Sequence, residues 1–251
     1  MSDEAGAQRT KVQHIADELK AAIERGDYEP GDRLPGENAL AAQYGVASLT
    51  ARRALKILRT EGLVESRKGA GARVLSFQPI RRRGIPRLAR EQWGSGRSIW
   101  STDDVAPDVD QIAVLVDTTP PPHISNVLDL APGEVACVRS RRYVVDGRPV
   151  MLAASYMPQA LVAGSPITQA DTGPGGLYAR LADLGHAPVR FREEIRVRLP
   201  STDEATRLSI PTERAVIKLA RTAFDAAGRA VEVNEMTLDS AAYVLDYEFD
   251  A

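Results

Sequence analysis

The amino-acid sequence predicts an α+β protein with two domains. Three helix-like segments and a short hairpin fill residues 1–75, whereas strand-like segments alternate with helix-like ones over residues 108–251. In the second region the turn dipeptides Asp146-Gly147 and Ala227-Gly228 join neighbouring strands, which predicts a mainly antiparallel sheet. Residues 76–107 contain Gly and Pro breaks and no periodicity, so we interpret them as a linker and the irregular start of the second domain.

The first region contains three predicted helices. Apolar residues recur at helical spacing over residues 10–25, and Gly26 ends this segment. A second, shorter helix is predicted over residues 37–43 and is ended by Gly45. The third helix is predicted over residues 48–60, with an apolar face toward the core and a basic face outward.

The outward face of the third helix and the hairpin after it are basic. Arg52 and Lys56 lie one turn apart on this face, with Arg53 beside them, and the hairpin tip carries Arg67-Lys68-Gly69. Cations in these places can reach phosphates, or guanine in the major groove. A short helix, a tight turn, a basic helix and a basic hairpin together predict a winged helix-turn-helix that binds DNA.

The second region alternates predicted strands with predicted helices. Strands are predicted at 111–117, 135–145, 149–157, 189–198, 214–225, 229–239 and 243–249. Helices are predicted at 122–129, 175–184 and 201–208, the last with Ser201 and Glu204 as a capping box.

Charge is distributed unevenly along the chain, although the net charge is only -2. Residues 1–100 carry 18 Lys or Arg against 12 Asp or Glu, whereas residues 101–251 carry 14 against 22. The excess is sharpest over residues 45–100, with 13 basic and 3 acidic side chains. A basic block of this kind neutralises phosphates, so the pattern favours a DNA-binding module joined to a module that does not bind DNA.

Other features of the sequence argue against membrane and extracellular classes. No apolar run approaches the ~18–20 residues of a membrane span, and no signal segment opens the chain. Cys137 is the single cysteine, so an intrachain disulfide is excluded. We therefore expect a cytoplasmic protein without a membrane partner.

Residues from Val12 to Val74 resemble the DNA-binding domain of the GntR family of bacterial transcription regulators. The matching residues are Ile15-Ala16-Asp17-Glu18-Leu19, Pro30-Gly31-Asp32-Arg33-Leu34-Pro35, Glu37, Thr50, Arg52, Arg53-Ala54-Leu55, Leu58 and Glu61-Gly62-Leu63-Val64. The resemblance implies a regulator that binds double-stranded operator DNA as a homodimer. Together with the basic surface, it gives these candidate DNA contacts: Arg33, Asn38, Ser48, Leu49, Thr50, Arg52, Arg53, Lys56, Arg67, Lys68 and Gly69.

Residues 110–248 resemble the effector-binding domain of the HutC branch of that family, the UTRA domain, which is related in fold to chorismate lyase. The residues that carry this resemblance are Arg139-Ser140-Arg141, Asp146-Gly147-Arg148-Pro149, Ser155-Tyr156-Met157-Pro158, Gly176-Leu177-Tyr178, Glu193-Glu194-Ile195, Arg221, Asp225, Gly228 and Val231-Glu232-Val233-Asn234. The resemblance implies a domain that binds a small effector and dimerises.

The sequence departs from the family pattern at the starts of two helices. Gly36 replaces the usual Ser before Glu37, and Val46-Ala47-Ser48 replaces the usual Val-Ser-Arg. Ala47 has no side-chain oxygen for an N-cap, and Ser48 stands where the family commonly reads a guanine with Arg. The half-site of the family is therefore not carried over to this chain.

An effector pocket is predicted in the second domain. Arg139 and Arg141 alternate along one strand and so share a face, and the segment 172–176 precedes a helix whose free backbone N–H groups favour an anion. With the resemblance, we expect the pocket to be lined by Arg139, Arg141, Tyr156, Gly176, Tyr178, Glu232 and Asn234. The family's frequent Glu before Ser-Tyr is replaced by Ala154, which argues against an effector similar to a sugar phosphate.

The sequence contains no recognisable metal or cofactor site. His14, His123 and His186 lack ligand spacing, and there is no nucleophile elbow, phosphate loop or dinucleotide motif. We expect neither cofactor nor metal. The leading hypothesis is a transcription regulator, a repressor, whose operator affinity is modulated by a small anionic effector. Two alternatives remain open: a second domain that only dimerises, and a lyase-like enzyme using Glu194 with Arg141.

Overall fold

The computed structural model describes residues 2–67, 71–76, 79–96 and 99–249, with the backbone alone for residues 2–10, 66–67 and 101–102. The chain divides after Pro79 into two compact units, called unit 1 and unit 2 below. No helix of the described residues is both long enough and apolar enough to cross a membrane.

Unit 1 consists of three helices and a two-stranded hairpin. Its elements are α1 (Ser2–Glu24), α2 (Glu37–Tyr44), α3 (Ser48–Thr60), β1 (Val64–Arg67) and β2 (Gly71–Val74). α1 begins earlier than the predicted residue 10, because residues 2–9 favour a helix without an apolar stripe that periodicity could detect. Leu19, Leu40 and Leu58, one from each helix, are buried in a common core.

The hairpin of unit 1 is extended by a third, short segment of chain. The backbone N–H of Leu34 donates to the carbonyl of Ala72 over 2.9 Å, and that of Val74 donates to Asp32 over 2.8 Å. These bonds flank an isolated bridge between Arg33 and Arg73. The chain before α2 therefore fixes the hairpin against the helices.

Unit 2 is built on a six-stranded antiparallel sheet with the order β4-β5-β6-β9-β8-β7. Its strands are β4 (Asp108–Thr118), β5 (Ala136–Val145), β6 (Arg148–Pro158), β7 (Arg190–Arg198), β8 (Val216–Phe224) and β9 (Ala230–Asp239). A separate parallel pair joins β3 (Ile80–Arg83) to β10 (Tyr243–Asp246). The helices are α4 (Arg90–Trp93), α5 (Pro122–Leu128), α6 (Gln159–Val162), α7 (Gly176–Asp183) and α8 (Thr202–Leu208). The predicted α+β class is confirmed.

Two hairpin turns of unit 2 follow the predicted dipeptides. Asp146 and Gly147 have φ values of 50° and 73°, the positive pair that a two-residue type I′ turn requires. In the β8–β9 turn, the carboxylate of Asp225 accepts the backbone N–H groups of Ala227 and Arg229, each over 3.0 Å. Local side chains thus set the register of both hairpins.

The two faces of the large sheet are covered differently. Leu152 of β6 packs with α8, and Tyr156 of the same strand packs with α5, so even-numbered residues of β6 point to one face. Met157 packs with Tyr178 of α7 on the other face, which is called the α7 face below. Trp93 is 1% exposed in that second cluster.

The segment before the sheet is more ordered than its sequence suggests. Residues 80–107 belong to unit 2, whereas the sequence interpretation took residues 76–107 as a linker and the irregular start of the second domain. Ile80 is 1% exposed, and Arg87 forms an ion pair with Asp103 over 3.1 Å. Local periodicity misses this order because β3 pairs with a strand at the far end of the unit.

Candidate DNA-binding surface and effector cavity

The outward face of α3 presents most of the predicted DNA contacts. Ser48, Arg52, Arg53 and Lys56 are exposed, and Leu49 is 49% exposed beside them. These residues recur at the spacing of one helix face, so they form a continuous surface, called the α3 face below. The surface is basic because three of its members carry a positive charge.

Thr50 does not belong to the α3 face, contrary to the prediction. It is 3% exposed and lies on the inward row of the helix with Ala54. Residues four apart share a helix face, and Ala54 is completely buried, so Thr50 is held toward the core. Direct contact of its side chain with DNA would require the helix to move.

Two polar contacts connect α2 to the α3 face. The Nε of Arg52 donates to Oε2 of Glu37 over 2.8 Å, and Oγ of Ser48 donates to Oδ1 of Asn38 over 3.3 Å. Both contacts cross the turn between the two helices, which begins at Gly45, the residue that ends α2 with a φ of 61°. The turn and these contacts together fix the direction in which the α3 face points.

Both helices of this pair begin without a side-chain cap. Ala47 precedes α3 and Gly36 precedes α2, each with extended backbone, and neither contributes a side-chain hydrogen bond. The first N–H groups of both helices are therefore left to solvent or to a partner. A DNA phosphate at either helix start would meet free donors and the positive end of the helix dipole.

The hairpin is described only in part. Arg33 is exposed, and its guanidinium lies beside Gly71, where an added Cβ would stand 3.4 Å from Nε. Gly71 has a φ of 77°, a conformation that favours glycine. Arg67 is described by its backbone in β1, whereas Lys68 and Gly69 lie outside the described residues.

A cavity of about 510 Å³ opens on the α7 face of unit 2 and is called the α7 cavity below. The residues that line it and are used below are Arg87, Trp100, Arg141, Tyr143, Met151, Ala153, Ser155, the segment 171–178, Arg221, Glu232, Asn234 and Met236. Five predicted pocket residues are among its lining residues: Arg141, Gly176, Tyr178, Glu232 and Asn234. Arg139 and Tyr156 are not.

Arg139 is a structural residue rather than a lining residue of the cavity. It is completely buried, and its guanidinium donates to the backbone carbonyls of Ile167, Gln169 and Ala170. Burial lowers its pKa to about 10. Arg139 and Arg141 share a face as predicted, but the loop after α6 covers only the first of them.

Tyr156 lies on the opposite face of the sheet from the cavity. Successive residues of a strand alternate between faces, so Ser155 lines the α7 cavity and Tyr156 packs with Ile124 and Val233 near α5. Burial raises the pKa of the Tyr156 hydroxyl, and nearby Glu235 adds to the effect. Tyr156, predicted as a pocket residue, therefore does not line this cavity, whereas its neighbour Ser155 does.

A polar row crosses the floor of the cavity from strand to strand. The β-ladder pairs Ser155 with Asn234, Asn234 with Arg221, and Arg221 with Glu193. Arg221 is 3% exposed, and its Nε and Nη1 find no hydrogen-bond partner among the described residues; Oδ1 of Asn234 finds none either. Arg221 was missing from the predicted pocket, although it was among the residues that carried the resemblance.

The charges around Arg221 keep it protonated. Burial lowers the pKa of Arg221, but Tyr178, Glu232 and Glu193 raise it, and the net shift is upward. Tyr178 donates its hydroxyl proton to Glu232 over 2.8 Å, and burial holds the pKa of this tyrosine well above its ordinary value. The carboxylate of Glu232 therefore already has a donor within the protein.

The glycine-rich segment before α7 brings backbone to the cavity wall. Gly173, Gly175 and Gly176 have φ values of 76°, 78° and 66°, all in the left-handed region. A Cβ on Gly175 would meet Cβ of Ala179 at 2.6 Å and the carbonyl of Trp93 at 2.7 Å, so only glycine fits this position. The N-terminus of α7 can thus approach a ligand closely, with the positive end of its dipole toward the cavity.

Arg141 provides a second cation at the cavity. It is half-buried, and its side chain makes no hydrogen bond or ion pair with any residue that the structure describes. Arg87, which is paired with Asp103 over 3.1 Å, lines the cavity as well, so three guanidiniums and a helix N-terminus meet around one space. No group of three or more His, Cys, Asp or Glu side chains that could hold a metal ion occurs within the described ranges.

Comparison with known proteins agrees with this two-part arrangement. The family model "Bacterial regulatory proteins, gntR family" matches residues 11–74, and the UTRA domain model matches residues 111–243. The chain is 30% identical over 231 residues to an uncharacterised HTH-type transcriptional regulator of Streptomyces coelicolor, covering 88% of this chain and 86% of the relative.

Two further matches support the same assignment. Over 60 residues, or 24% of this chain and 25% of the relative, the chain is 43% identical to the mannosyl-D-glycerate transport/metabolism system repressor MngR of Escherichia coli. A crystal structure of a GntR-family transcriptional regulator aligns with a TM-score of 0.60 and 25% identity, covering 96% of this chain and 98% of that one. The chain therefore belongs to the GntR family of bacterial transcription regulators that carry a UTRA domain, and it is a DNA-binding regulator rather than an enzyme.

Proposed function

We propose that this regulator is a homodimeric repressor whose affinity for operator DNA falls when a small anion binds in the α7 cavity. The observation that carries the proposal is Arg221, whose buried guanidinium has unpartnered N–H groups at the cavity. A buried charge with unmet donors is costly unless a ligand or water supplies the acceptors. Arg141 stands at the same space with no partner among the described side chains, which favours a negatively charged ligand.

The carboxylates near the cavity are already engaged. Glu232 accepts the hydroxyl of Tyr178 over 2.8 Å, and Asp171 accepts the backbone N–H of Gly173 over 2.8 Å. Glu193 accepts both Arg82 and Tyr247, the latter over 2.6 Å. These carboxylates therefore accept hydrogen bonds from other donors, whereas the Arg141 side chain remains available to bind a ligand. An anionic effector would balance the positive charge of the arginines at the α7 cavity.

In the proposed DNA complex, the α3 face enters the major groove and the hairpin contacts the adjacent backbone. Arg52, Arg53 and Lys56 would bind phosphates or base edges, and each phosphate contact would add to the salt dependence of binding. The assignment as a repressor is supported by the likeness to MngR, which is named a repressor and is 43% identical over 60 residues.

The dimer is proposed to form through unit 2. Strand β4 lies at one edge of the six-stranded sheet, and its side chains of Ile112, Leu115 and Val116 are 44%, 56% and 47% exposed. An edge strand with exposed apolar side chains is a common site of pairing with another chain. Two units joined in this way would present two α3 faces to the two halves of a near-palindromic operator.

The experiment that tests the proposal is fluorescence anisotropy with labelled promoter DNA from the protein's own locus. The full chain is titrated at fixed salt, alone and with a panel of small carboxylates and phosphates. We expect a specific complex with one dimer per site, and at least one anion that weakens it in wild type but not in Arg141→Gln. Absence of a specific complex at moderate salt would refute the DNA-binding mode.

The same panel separates a sensing domain from one that only dimerises. If no anion raises the melting temperature of the wild-type protein, and Arg141→Gln behaves as wild type throughout, the effector proposal fails although DNA binding stands. A ligand that stabilises the protein and strengthens the DNA complex would overturn the proposed direction of regulation.

A further inference from the structure

The floor of the α7 cavity changes from polar to apolar along the strand direction. Ser155, Asn234 and Arg221 form one cross-strand row, as described above. The next row on the same face pairs Ala153 with Met236. Because the two rows are adjacent in the β-ladder, a ligand that lies along the strands contacts both.

The third row continues the apolar end. Met151 pairs with Tyr143, and the Tyr143 ring lies 5.0 Å from the Trp100 ring, centroid to centroid. Met151 and Met236 are 1% and 3% exposed, so the wall that they form is shielded from solvent. All four side chains line the α7 cavity. One end of the cavity therefore presents thioethers and aromatic rings, together with the Arg87 guanidinium, which lies 4.3 Å from the Trp100 ring centroid and is paired with Asp103.

Arg141 stands at the boundary between these two ends. It pairs across strands with Ala153, so it belongs to the second row and lies one row from Arg221. The glycine-rich segment that ends at Gly176 lines the cavity as well. The charged group of a ligand, called its head below, can therefore bind to the positive charge and the backbone donors. The uncharged remainder, called its body below, contacts Ala153, Met236 and Met151.

A polyhydroxylated body would fit this environment poorly. Each sugar hydroxyl that enters an apolar wall without a hydrogen-bond partner loses the bonds it had in water, which weakens binding. Ala153 and the two methionines offer no conventional donor or strong acceptor through their side chains. Apolar groups of a ligand would instead gain from burial and from contact with polarisable sulfur.

We propose that the effector is a small amphipathic anion: a carboxylate or phosphate head with an alkyl or aryl body. The head binds Arg221, Arg141 and the N-terminus of α7, and the body lies on Ala153, Met236 and Met151. This inference rests on the proposed function, because it assumes that the α7 cavity is the effector site. It adds the chemical class of the part of the ligand that carries no charge.

The test compares ligands that share a head and differ in their bodies. Isothermal titration calorimetry of the full chain is done with phenyl phosphate, glucose 6-phosphate, phenylacetate and inorganic phosphate. We expect phenyl phosphate or phenylacetate to bind at least ~10-fold more tightly than glucose 6-phosphate and inorganic phosphate, with a negative heat-capacity change from apolar burial. The comparison of phenyl phosphate with phenylacetate decides between the two head groups.

A pair of variants locates the body of the ligand. Met236→Gln keeps the length of the side chain and adds a polar end, so it should weaken binding of the preferred aryl anion about 10-fold and leave inorganic phosphate unchanged. Leu199→Gln is the matched control, since Leu199 is 61% exposed between β7 and α8, lies outside the proposed dimer edge and does not line the cavity. Circular dichroism melting confirms that both variants remain folded.

The possible failures are distinguishable. If glucose 6-phosphate binds more tightly than both aryl anions, and Arg141→Gln abolishes that binding, the anion site stands and the amphipathic class is wrong. If Met236→Gln and Leu199→Gln bind the aryl anion equally well, the body does not lie on the methionine wall. If no probe binds, both this inference and the effector proposal fail.

Discussion

Nε of Arg52 donates a hydrogen bond to Oε2 of Glu37 over 2.8 Å, and this bond joins the two helices of the DNA-binding unit across their turn. The Arg52 side chain is 61% exposed, so the ion pair contributes little to stability, about 0–1 kcal/mol. Its effect is to hold one end of the guanidinium while the other end remains open to solvent. Arg52 is thereby oriented before DNA arrives.

Arg52→Ala should weaken operator binding about 10–100-fold, because a well-oriented basic contact is worth about 1–3 kcal/mol. The free energy of unfolding should change by less than ~1 kcal/mol. Anisotropy titrations on operator and scrambled DNA measure the first quantity, and urea unfolding measures the second. Arg25→Ala is the control, since Arg25 is 62% exposed, is paired with Asp27 and lies outside the α3 face. Equal operator affinity of the two variants would show that Arg52 does not contact DNA.

The uncapped helix starts offer a gain in stability. Ala47→Ser should stabilise unit 1 by about 1 kcal/mol, because the backbone at residue 47 is already extended and needs only a side-chain oxygen. Gly36→Ser should act in the same direction by a few tenths of a kcal/mol. Urea midpoints monitored in unit 1 measure both. Ala42→Ser, at an exposed position inside α2, should destabilise slightly instead. An equal response at residues 42 and 47 would argue against capping.

Glu204 should make the stability of unit 2 depend on pH. The hydrogen bond from Arg198 holds the pKa of this carboxyl far below its ordinary value; burial opposes the shift, and the Ser201 N–H and Lys218 strengthen it. Because the pKa in the folded state is below about 4.3, the ordinary value for Glu, this stabilisation is present above that pH and is lost as the pH falls toward the folded-state pKa.

The variant that isolates this effect is Glu204→Gln. It should lower the free energy of unfolding at pH 7 by at least ~1 kcal/mol, since it weakens the capping box at Ser201 as well as the ion pairs. The difference from wild type should shrink between pH 4 and pH 2. Urea unfolding at pH 7, 4 and 2.5 provides the comparison, and a difference that stays constant with pH would contradict the assignment.

Arg139 and Arg141 should respond in opposite ways to the same substitution. Arg139→Met leaves three backbone carbonyls without their donor and should lower the free energy of unfolding by about 2–5 kcal/mol. Arg141→Met removes a side chain without a protein partner, so stability should change by less than ~1 kcal/mol while the response of DNA binding to anions disappears. Thermal melts and anisotropy with the panel of anions measure the two effects. Similar melting temperatures for the two variants would be incompatible with these roles.

Much of the fold follows from local patterns in the sequence. The helix starts at Glu37 and Ser48, the hairpin at Asp146-Gly147 and the capping box at Ser201 each depend on residues within one turn of each other. Such features can be predicted because the residues that determine them are close neighbours in the sequence. The α+β class could be predicted from these signals and from the spacing of the predicted strands.

The predicted site residues that lie elsewhere in the structure depend on strand alternation and on distant contacts. Tyr156 was expected in the pocket from the motif Ser155-Tyr156-Met157-Pro158, and a motif does not state which of two adjacent residues faces the cavity. Arg139 was expected beside Arg141, yet its partners come from the loop at residues 167–170, about thirty positions away. Thr50 was taken as a contact from the resemblance, although its helical position is on the inward row.

The parallel pairing of β3 with β10 has a consequence for how the protein is made. Arg82 and Tyr247 touch although they stand 165 residues apart, so unit 2 closes only after its last strand has been synthesised. Unit 1 has a core of its own and can fold as soon as its residues leave the ribosome. A chain that stopped before residue 243 would therefore carry a complete DNA-reading unit joined to an incomplete unit 2.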